Sequence, residues 1–402
     1  MATLLNRPRM NSLMNASGYD AIIAARPSDV LYCSGMYSLS HWLIRGVEAY
    51  AVVPREAARG VQLVTTIADA DLGAEQDPPI ERFVPYGMFF VEPPSSGVEV
   101  STLDASDQRL SKLAALKPHA NAVEALAAAM GELPPASKRI AFDDSYMPPA
   151  TISELRRRFP DREFVPDASI VITTRMVKTA PERERLIRAA HITEMAMMTV
   201  IDQLREGMTE REAKLIFETS LLEQGAQPRL TVIGFGEHSA YPNATPGDRR
   251  LRGGDIVRFD VGCLYEHYWA DLSRCAVLGE PSERIMKYYN ALVKGEDAAI
   301  AAVRPGRRAS EVFEDTMQVV RDSGIPQYRR QHVGHGIGVD IYDPPILNAA
   351  TQTVLEPGML LDVETPFYEL GFGGLQIEDL VVVTEEGCEV VTRTERKLYV
   401  RE

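Results

Sequence analysis

The stretch from Gly253 to Asp271 limits the fold more than any other part of the chain. Gly253-Gly254-Asp255-Ile256-Val257-Arg258-Phe259-Asp260-Val261-Gly262 reads as one strand, and the residues from Tyr265-Glu266 to Ala270-Asp271 turn back into a second. In an antiparallel pair, each residue on one strand faces a fixed partner set by the turn. Asp260 and Asp271 face each other when the turn centres between Tyr265 and Glu266. Two carboxylates on one face of an otherwise apolar hairpin are costly without a positive partner between them. A divalent metal ion is the simplest such partner.

The arrangement recurs near the C-terminus. Leu360 to Glu364 forms one strand and Leu375 to Val383 another, joined by Tyr368-Glu369-Leu370-Gly371-Phe372-Gly373-Gly374. With the reversal centred on Gly371, Glu364 faces Glu378, and the glycines suit a loop that needs positive φ. Between the two hairpins lies His332-Val333-Gly334-His335-Gly336-Ile337-Gly338. One glycine-flanked imidazole and four carboxylates make a ligand set for two hard or borderline divalent ions.

A chain of 402 residues is long enough for two domains and a sizeable core. A formal net charge of −14 argues against nucleic acid or an anionic membrane as partner, because phosphate binding needs a basic surface. Cys33, Cys263, Cys275 and Cys388 show no C-x-x-C spacing, so neither a zinc knuckle nor a disulfide framework is indicated. No apolar run of signal-peptide or membrane-span type stands out, and a cytoplasmic location is expected.

The first part alternates strands and helices: a helix near Arg7–Asn15, strands at Tyr19–Ala24, Tyr50–Val53, Val61–Thr66 and Arg139–Phe142, helices near Ala120–Met130 and Thr151–Arg158. This pattern predicts an α/β layer. Pro93 to Gly97 reads as a loop. An extended segment is expected near Ile170–Lys178, then a helix from Glu182 to Arg205 and another opened by the capping box Thr209-x-x-Glu212. Helices follow at about Ser282–Val303 and Ser310–Asp322. The expected domains are 1–175 and 176–402, the second an α+β half with its site on a sheet.

Asp260, Asp271, His335 in Gly-His-Gly-Ile-Gly, Glu364 in Val-Glu-Thr-Pro and Glu378 in Ile-Glu-Asp together resemble the metal-binding set of the pita-bread metallopeptidases, the group of methionine aminopeptidase, aminopeptidase P, prolidase and the creatinase-like hydrolases. The resemblance covers the chain strongly from about Arg175 to the end. Tyr19–Ala24 and Leu31-Tyr32-Cys33-Ser34-Gly35 resemble the creatinase/prolidase N-terminal domain more weakly. It implies an α+β fold, with a C-terminal pita-bread domain preceded by an α/β creatinase/prolidase N-terminal-type domain. It also implies two divalent ions (Mn, Fe, Co or Zn), with Asp260 on one, His335 and Glu364 on the other, and Asp271 and Glu378 bridging. The activity implied is that of an Xaa-Pro dipeptidase or aminopeptidase P: a hydroxide shared by the ions attacks an amide carbon, and Glu364 carries a proton to the leaving nitrogen.

Three positions depart from the group's pattern. Asn243, in Tyr241-Pro242-Asn243, stands where a Pro-His histidine is usual; Tyr342 replaces a second histidine; and Gln376 replaces an arginine before Ile-Glu-Asp. Asn243 and Tyr342 can still donate hydrogen bonds to an oxyanion. His332 is a candidate for a lost donor, and His238 and Gln376 are candidate substrate contacts. In prolidase-like dimers a loop of one N-terminal domain reaches the partner's site, so Trp42 and Arg45 in Tyr37–Gly46 are further candidates, Arg45 for an anionic group. A homodimer is expected on the same resemblance, acting on a short peptide or other small molecule. Two other readings stand beside it. One is a creatinase-like hydrolase or lyase of an amidine or compatible solute, which the departures favour. The other is a non-catalytic binding protein, which four converging carboxylates disfavour.

Overall fold

Segments of four to seven residues with buried apolar positions in the first part of the chain are long enough for strands and too short for helices. In the computed structural model, which describes residues 4–56, 58–96 and 98–402, they form β1 (Ala21–Ala24), β2 (Tyr50–Pro54), β3 (Val61–Thr66), β4 (Ile80–Tyr86), β5 (Arg139–Phe142) and β6 (Glu163–Pro166). Gly97, at the end of the loop expected at Pro93–Gly97, lies outside the described residues. The sheet order is β4-β3-β2-β1-β5-β6. Its core joins Ile23, Val52, Val64 and Phe142 to Leu126 and Ile152 of the helices Ala122–Gly131 and Pro149–Arg158.

The run around Trp42 follows the helix Pro27–Ser34 and itself contains a short helix, Leu39–Leu43. Pro27 opens the former and Gly35, with φ of +76°, closes it. The segment expected to be extended near Ile170–Lys178 begins instead as a helix, Ser169–Arg175. Its β-branched residues favour a strand, but Asp167 Oδ1 accepts from Ser169 N at 3.0 Å and starts the helix. Arg175 then closes it in a buried pair with Asp29, Nη1 to Oδ1 at 2.6 Å.

The chain divides into two units, Met1–Arg175 and Met176–Glu402. The second is built on a ten-stranded sheet, whose main path runs β12-β11-β13-β16-β10-β8-β7. These are β7 (Gln227–Phe235), β8 (Ile256–Tyr265), β10 (Leu272–Leu278), β11 (Gly334–Gly336), β12 (Asp343–Ile346), β13 (Leu360–Glu364) and β16 (Glu378–Val383), with β9 (Tyr268–Trp269) beside β8. A small ribbon, β14 (Phe367–Glu369) with β15 (Gly373–Leu375), closes the second hairpin. Helices Ala180–Gln203 and Glu210–Glu223 cover Val257, Phe259 and Val261 of β8. Helices Glu283–Ala302 and Ala309–Asp322 cover Leu361 and Val363 of β13 and Val381 of β16. The capping box at Thr209 is formed, with Thr209 N donating to Glu212 Oε2 at 2.7 Å.

The second hairpin has the expected register, Glu364 facing Glu378. The first does not. Asp260 faces Ser273, and the turn centres between Glu266 and His267, whose φ values are +45° and +70°. A two-residue turn with both central residues left-handed matches the strand twist. Gly262 permits it, since a Cβ there would lie 1.9 Å from the Ala270 carbonyl oxygen. The register therefore differs by two residues, which preserves the face of every side chain. Asp260 and Asp271 stay on one side, diagonal instead of opposite.

Candidate metal centre

The two hairpins meet at a single residue pair, Ser273 on β10 with Glu378 on β16. The candidate ligands gather at this seam from neighbouring strands. His335 is delivered by β11, paired with β13 so that His335 lies beside Asp362. Its glycine neighbours are required by space: a Cβ on Gly334, where φ is +137°, would lie 2.1 Å from the Asp362 carbonyl oxygen, and one on Gly336 2.5 Å from that of Pro344.

Asp271, His335 and Glu378 each offer one ligand atom, and these atoms all lie within 4.8 Å of one another. Among the described residues, Asp271 Oδ1, His335 Nε2 and Glu378 Oε2 are buried with no hydrogen-bond partner. His335 Nδ1 lies 2.9 Å from the Gly336 carbonyl oxygen, which accepts its proton and leaves the Nε2 lone pair directed into the cluster.

The other two expected ligands already have partners. Asp260 Oδ2 accepts from Arg258 Nη1 at 3.0 Å. Glu364 Oε1 lies 3.0 Å from His332 Nδ1, and its Oε2 accepts from Gln376 Nε2 at 3.3 Å. Gln376 thus differs from the expected substrate contact: it is buried, and its Oε1 accepts from Arg258 Nη1 and Tyr368 Oη at 2.9 and 3.0 Å. Its amide braces the cage from within.

Tyr342 lies over the centre, its ring stacked on that of His335 at 3.8 Å and 23°. Asn243 is exposed in the turn after Tyr241, and Arg258 Nη2 binds the carbonyl oxygens of Tyr241 and Pro242 at 2.7 and 3.0 Å. His238 Nδ1 is 2.7 Å from the buried Glu210 Oε1, which orients its ring. Trp42 and Arg45 belong to the first unit, where they line a cleft of about 420 Å³ with His41 and Tyr146.

The electrostatics follow from burial. Burial, then the charge of Asp260, pushes the Asp271 carboxyl well above its ordinary range. Burial, then Asp271, does the same to Glu378. Burial raises Asp260 too, against the pull of Arg258. Burial alone would raise Glu364, but the His332 ring and the Arg330 charge outweigh it and its net shift is downward. Burial lowers His335, which favours the neutral, ligating imidazole.

Sequence reading missed three residues at the centre. Arg258 alternates with Asp260, and Asp362 with Glu364, so each shares a face with a ligand, a period-two signal that was available. Asp362 is fully buried, with neither carboxylate oxygen partnered among the described residues. The third, Arg330, had no motif to mark it.

Residues 184–385 match the metallopeptidase family M24, and residues 7–177 match the creatinase/prolidase N-terminal domain. The chain belongs to metallopeptidase family M24. The Xaa-Pro dipeptidase of Pyrococcus furiosus is 33% identical to this M24 chain over 239 residues, 59% of this chain and 69% of that protein. The Xaa-Pro dipeptidase of Pyrococcus horikoshii is 30% identical over 257 residues, 63% and 73% of the two chains. The solved structure of the Xaa-Pro dipeptidase from Bacillus anthracis shares the fold, with a TM-score of 0.78 at 24% identity over 98% of both chains. The pita-bread reading of the fold and the assignment as a metallohydrolase stand on these matches.

The family implies divalent metal ions, and the side chains present fit them. Three buried ligand atoms of the right kinds converge with no hydrogen-bond donor among the described residues to satisfy them, and the histidine tautomer is fixed by its second nitrogen. No helix among the described residues is long and apolar enough to cross a membrane.

Proposed function

We propose that this M24 metallohydrolase cleaves the amide bond of Xaa-Pro dipeptides with two divalent ions, drawn from Mn, Fe, Co and Zn, held by Asp260, Asp271, His335, Glu364 and Glu378. The observation that carries the reading is the convergence of the three unpartnered atoms of Asp271, His335 and Glu378. The Pyrococcus relatives named Xaa-Pro dipeptidase support the substrate class. When bound, the ions supply an activated water near neutral pH and draw electron density from the scissile carbonyl.

The chain's own groups do the rest. Glu364 Oε1 and His332 Nδ1, 3.0 Å apart, form a carboxylate–imidazole pair that holds one proton and passes it to the leaving nitrogen. Tyr342, half exposed over His335, donates its hydroxyl to the developing oxyanion, with Asn243 as a second donor. His238, oriented by Glu210, contacts the substrate. Arg258 fixes the loop carrying Tyr241 and Pro242 against Asp260. We also propose a homodimer in which Trp42 and Arg45 of one chain meet the substrate of the other. A cytoplasmic location fits four free cysteines, three of them buried.

The test is metal analysis of protein purified without chelator, with a hydrolysis screen of Xaa-Pro dipeptides beside small amides and amidines. Two ions per chain with Xaa-Pro cleavage is the expected result. Two ions with cleavage of amidines or amides alone transfers the protein to the creatinase-like reading, and absence of bound metal overturns the mechanism.

A further inference from the structure

Two guanidinium groups flank the Tyr368 ring, and they are used differently. Arg258, 5.1 Å from the ring centre, is fully buried, and each of its nitrogens is engaged by protein: Nε with the Ser239 carbonyl oxygen, Nη1 with Asp260 and Gln376, Nη2 with the carbonyl oxygens of Tyr241 and Pro242. A guanidinium has five N–H donors, so Arg258 has none left over. Arg330, 5.3 Å from the same ring, is half-buried, and its buried Nε has no hydrogen-bond partner among the described residues. Among the described residues its guanidinium forms no ion pair.

Arg330 stands at the edge of the metal centre. Tyr368, on which it rests, donates to Gln376, and Gln376 donates to Glu364. Two residues further along the chain, His332 meets the other oxygen of Glu364. Its charge reaches Glu364, Tyr328 and Tyr368 without any of them serving as its hydrogen-bond acceptor. A partly desolvated cation without an acceptor is costly to hold. A planar donor fork held on an aromatic face is preorganised for a carboxylate.

We propose that Arg330 anchors the free carboxylate of the substrate, and thereby selects dipeptides, whose carboxylate lies one residue from the scissile amide, over amides and longer peptides. This rests on the reading of the site as an Xaa-Pro dipeptidase and deepens it. The competing role is charge balance, in which Arg330 only offsets Glu364 and the neighbouring acids; that role would be felt in metal retention and equally by every substrate.

The experiment compares wild type, Arg330→Gln and Arg330→Lys on Ala-Pro, Ala-Pro-amide and Ala-Pro-Ala, with metal counted in each protein. Wild type is expected to favour Ala-Pro over its amide, and Arg330→Gln to raise KM for Ala-Pro by about tenfold or more, one lost charge-assisted contact. That variant should retain metal, and any fall in kcat from the changed charge near Glu364 should be common to acid and amide. Its KM for the amide should barely move, and Arg330→Lys should recover part of the loss. Equal rises in KM for acid and amide, or loss of metal in Arg330→Gln, would overturn the proposal. Calorimetric binding of Ala-Pro and its amide to chelator-treated, nickel-reloaded protein separates the two readings. If wild type cleaves neither peptide, the dipeptidase reading fails, while preferential binding of the acid that Arg330→Gln abolishes still supports the anchor. No preference for the acid in wild type removes it.

Discussion

The two hairpins that meet at the candidate metal centre have the same plan but meet the charge of their acids differently. The first brings its own counter-charge for Asp260: Arg258 pairs with it from two residues away on β8 and ties the preceding loop at Tyr241 and Pro242 to the same point. The second concentrates acid. Glu364, Glu378 and Asp362 lie within β13 and the start of β16, supported by His332 and Gln376, and Asp362 has no partner among the described residues. A permanent cation satisfies Asp260, but Asp271 on the same hairpin keeps an unpartnered oxygen among the described residues. Asp271 and the acids of the second hairpin must be satisfied by protons or by metal ions.

The largest expected effect breaks the symmetric part of this picture. Asp271→Ala or Glu378→Ala should lose both ions and all activity, because each removes a carboxylate that reaches between the hairpins; full metal occupancy in either variant would refute the bridging assignment. Arg258→Met tests the side with the built-in cation. It strands the partly exposed Asp260 carboxylate; breaking a fully buried pair costs roughly 3–5 kcal/mol, so a smaller loss is expected here. Urea unfolding of the metal-free protein should show that loss, and adding Asp260→Asn should return much of it. A strictly additive double variant would mean that the pair is not coupled.

The acid-rich side has a pH signature, with Glu296 as its probe. Glu296 lies on the helix behind β13, fully buried, with neither oxygen partnered among the described residues. Burial, then the charge of Asp379, pushes its carboxyl well above the ordinary range. A carboxyl raised on folding contributes its stability below the unfolded value, and that stability is lost as pH rises through the folded one. Metal-free protein should therefore weaken from mild acid towards alkaline pH. Glu296→Gln should flatten that decline, gaining about 1–3 kcal/mol at the alkaline end, the cost of one unsatisfied buried group. Thermal melts of both proteins across that range decide it; parallel curves would mean that Glu296 stays ionised without penalty.

Much of this arrangement was legible in the sequence because it depends on parity. The Asp260–Asp271 register was misplaced by two residues, yet the conclusion that both share a face survived, since only an odd slip exchanges faces. Glu364 and Glu378 were placed opposite each other correctly, because Gly371 fixed the centre of the turn. Partners from distant parts of the chain were not legible. Nothing in the sequence joins Arg258 to the carbonyl groups of Ser239, Tyr241 and Pro242, or turns Gln376 inward to Glu364. The helix Ser169–Arg175 was missed for a similar reason: a string of β-branched residues was overruled by a cap at one end and an ion pair at the other.

The smallest effect sharpens the comparison most, because Tyr342 touches the acid-rich side without carrying charge itself. Partial burial raises its phenol, and the charge of Glu364 adds to the shift, so it stays protonated at neutral pH and keeps a proton to donate. Its ring packs on His335 at 3.8 Å, while the hydroxyl has no hydrogen-bond partner among the described residues. Tyr342→Phe keeps the stack and removes only the donor. Metal content should be unchanged, and kcat should fall by the worth of one hydrogen bond, about 0.5–1.5 kcal/mol or roughly two- to tenfold. Tyr342→Ala also removes the stack, so it should loosen His335 and weaken metal binding as well. If both variants lose metal and activity together, Tyr342 serves the ligand by packing; if only kcat moves in the phenylalanine variant, its hydroxyl belongs to the reaction.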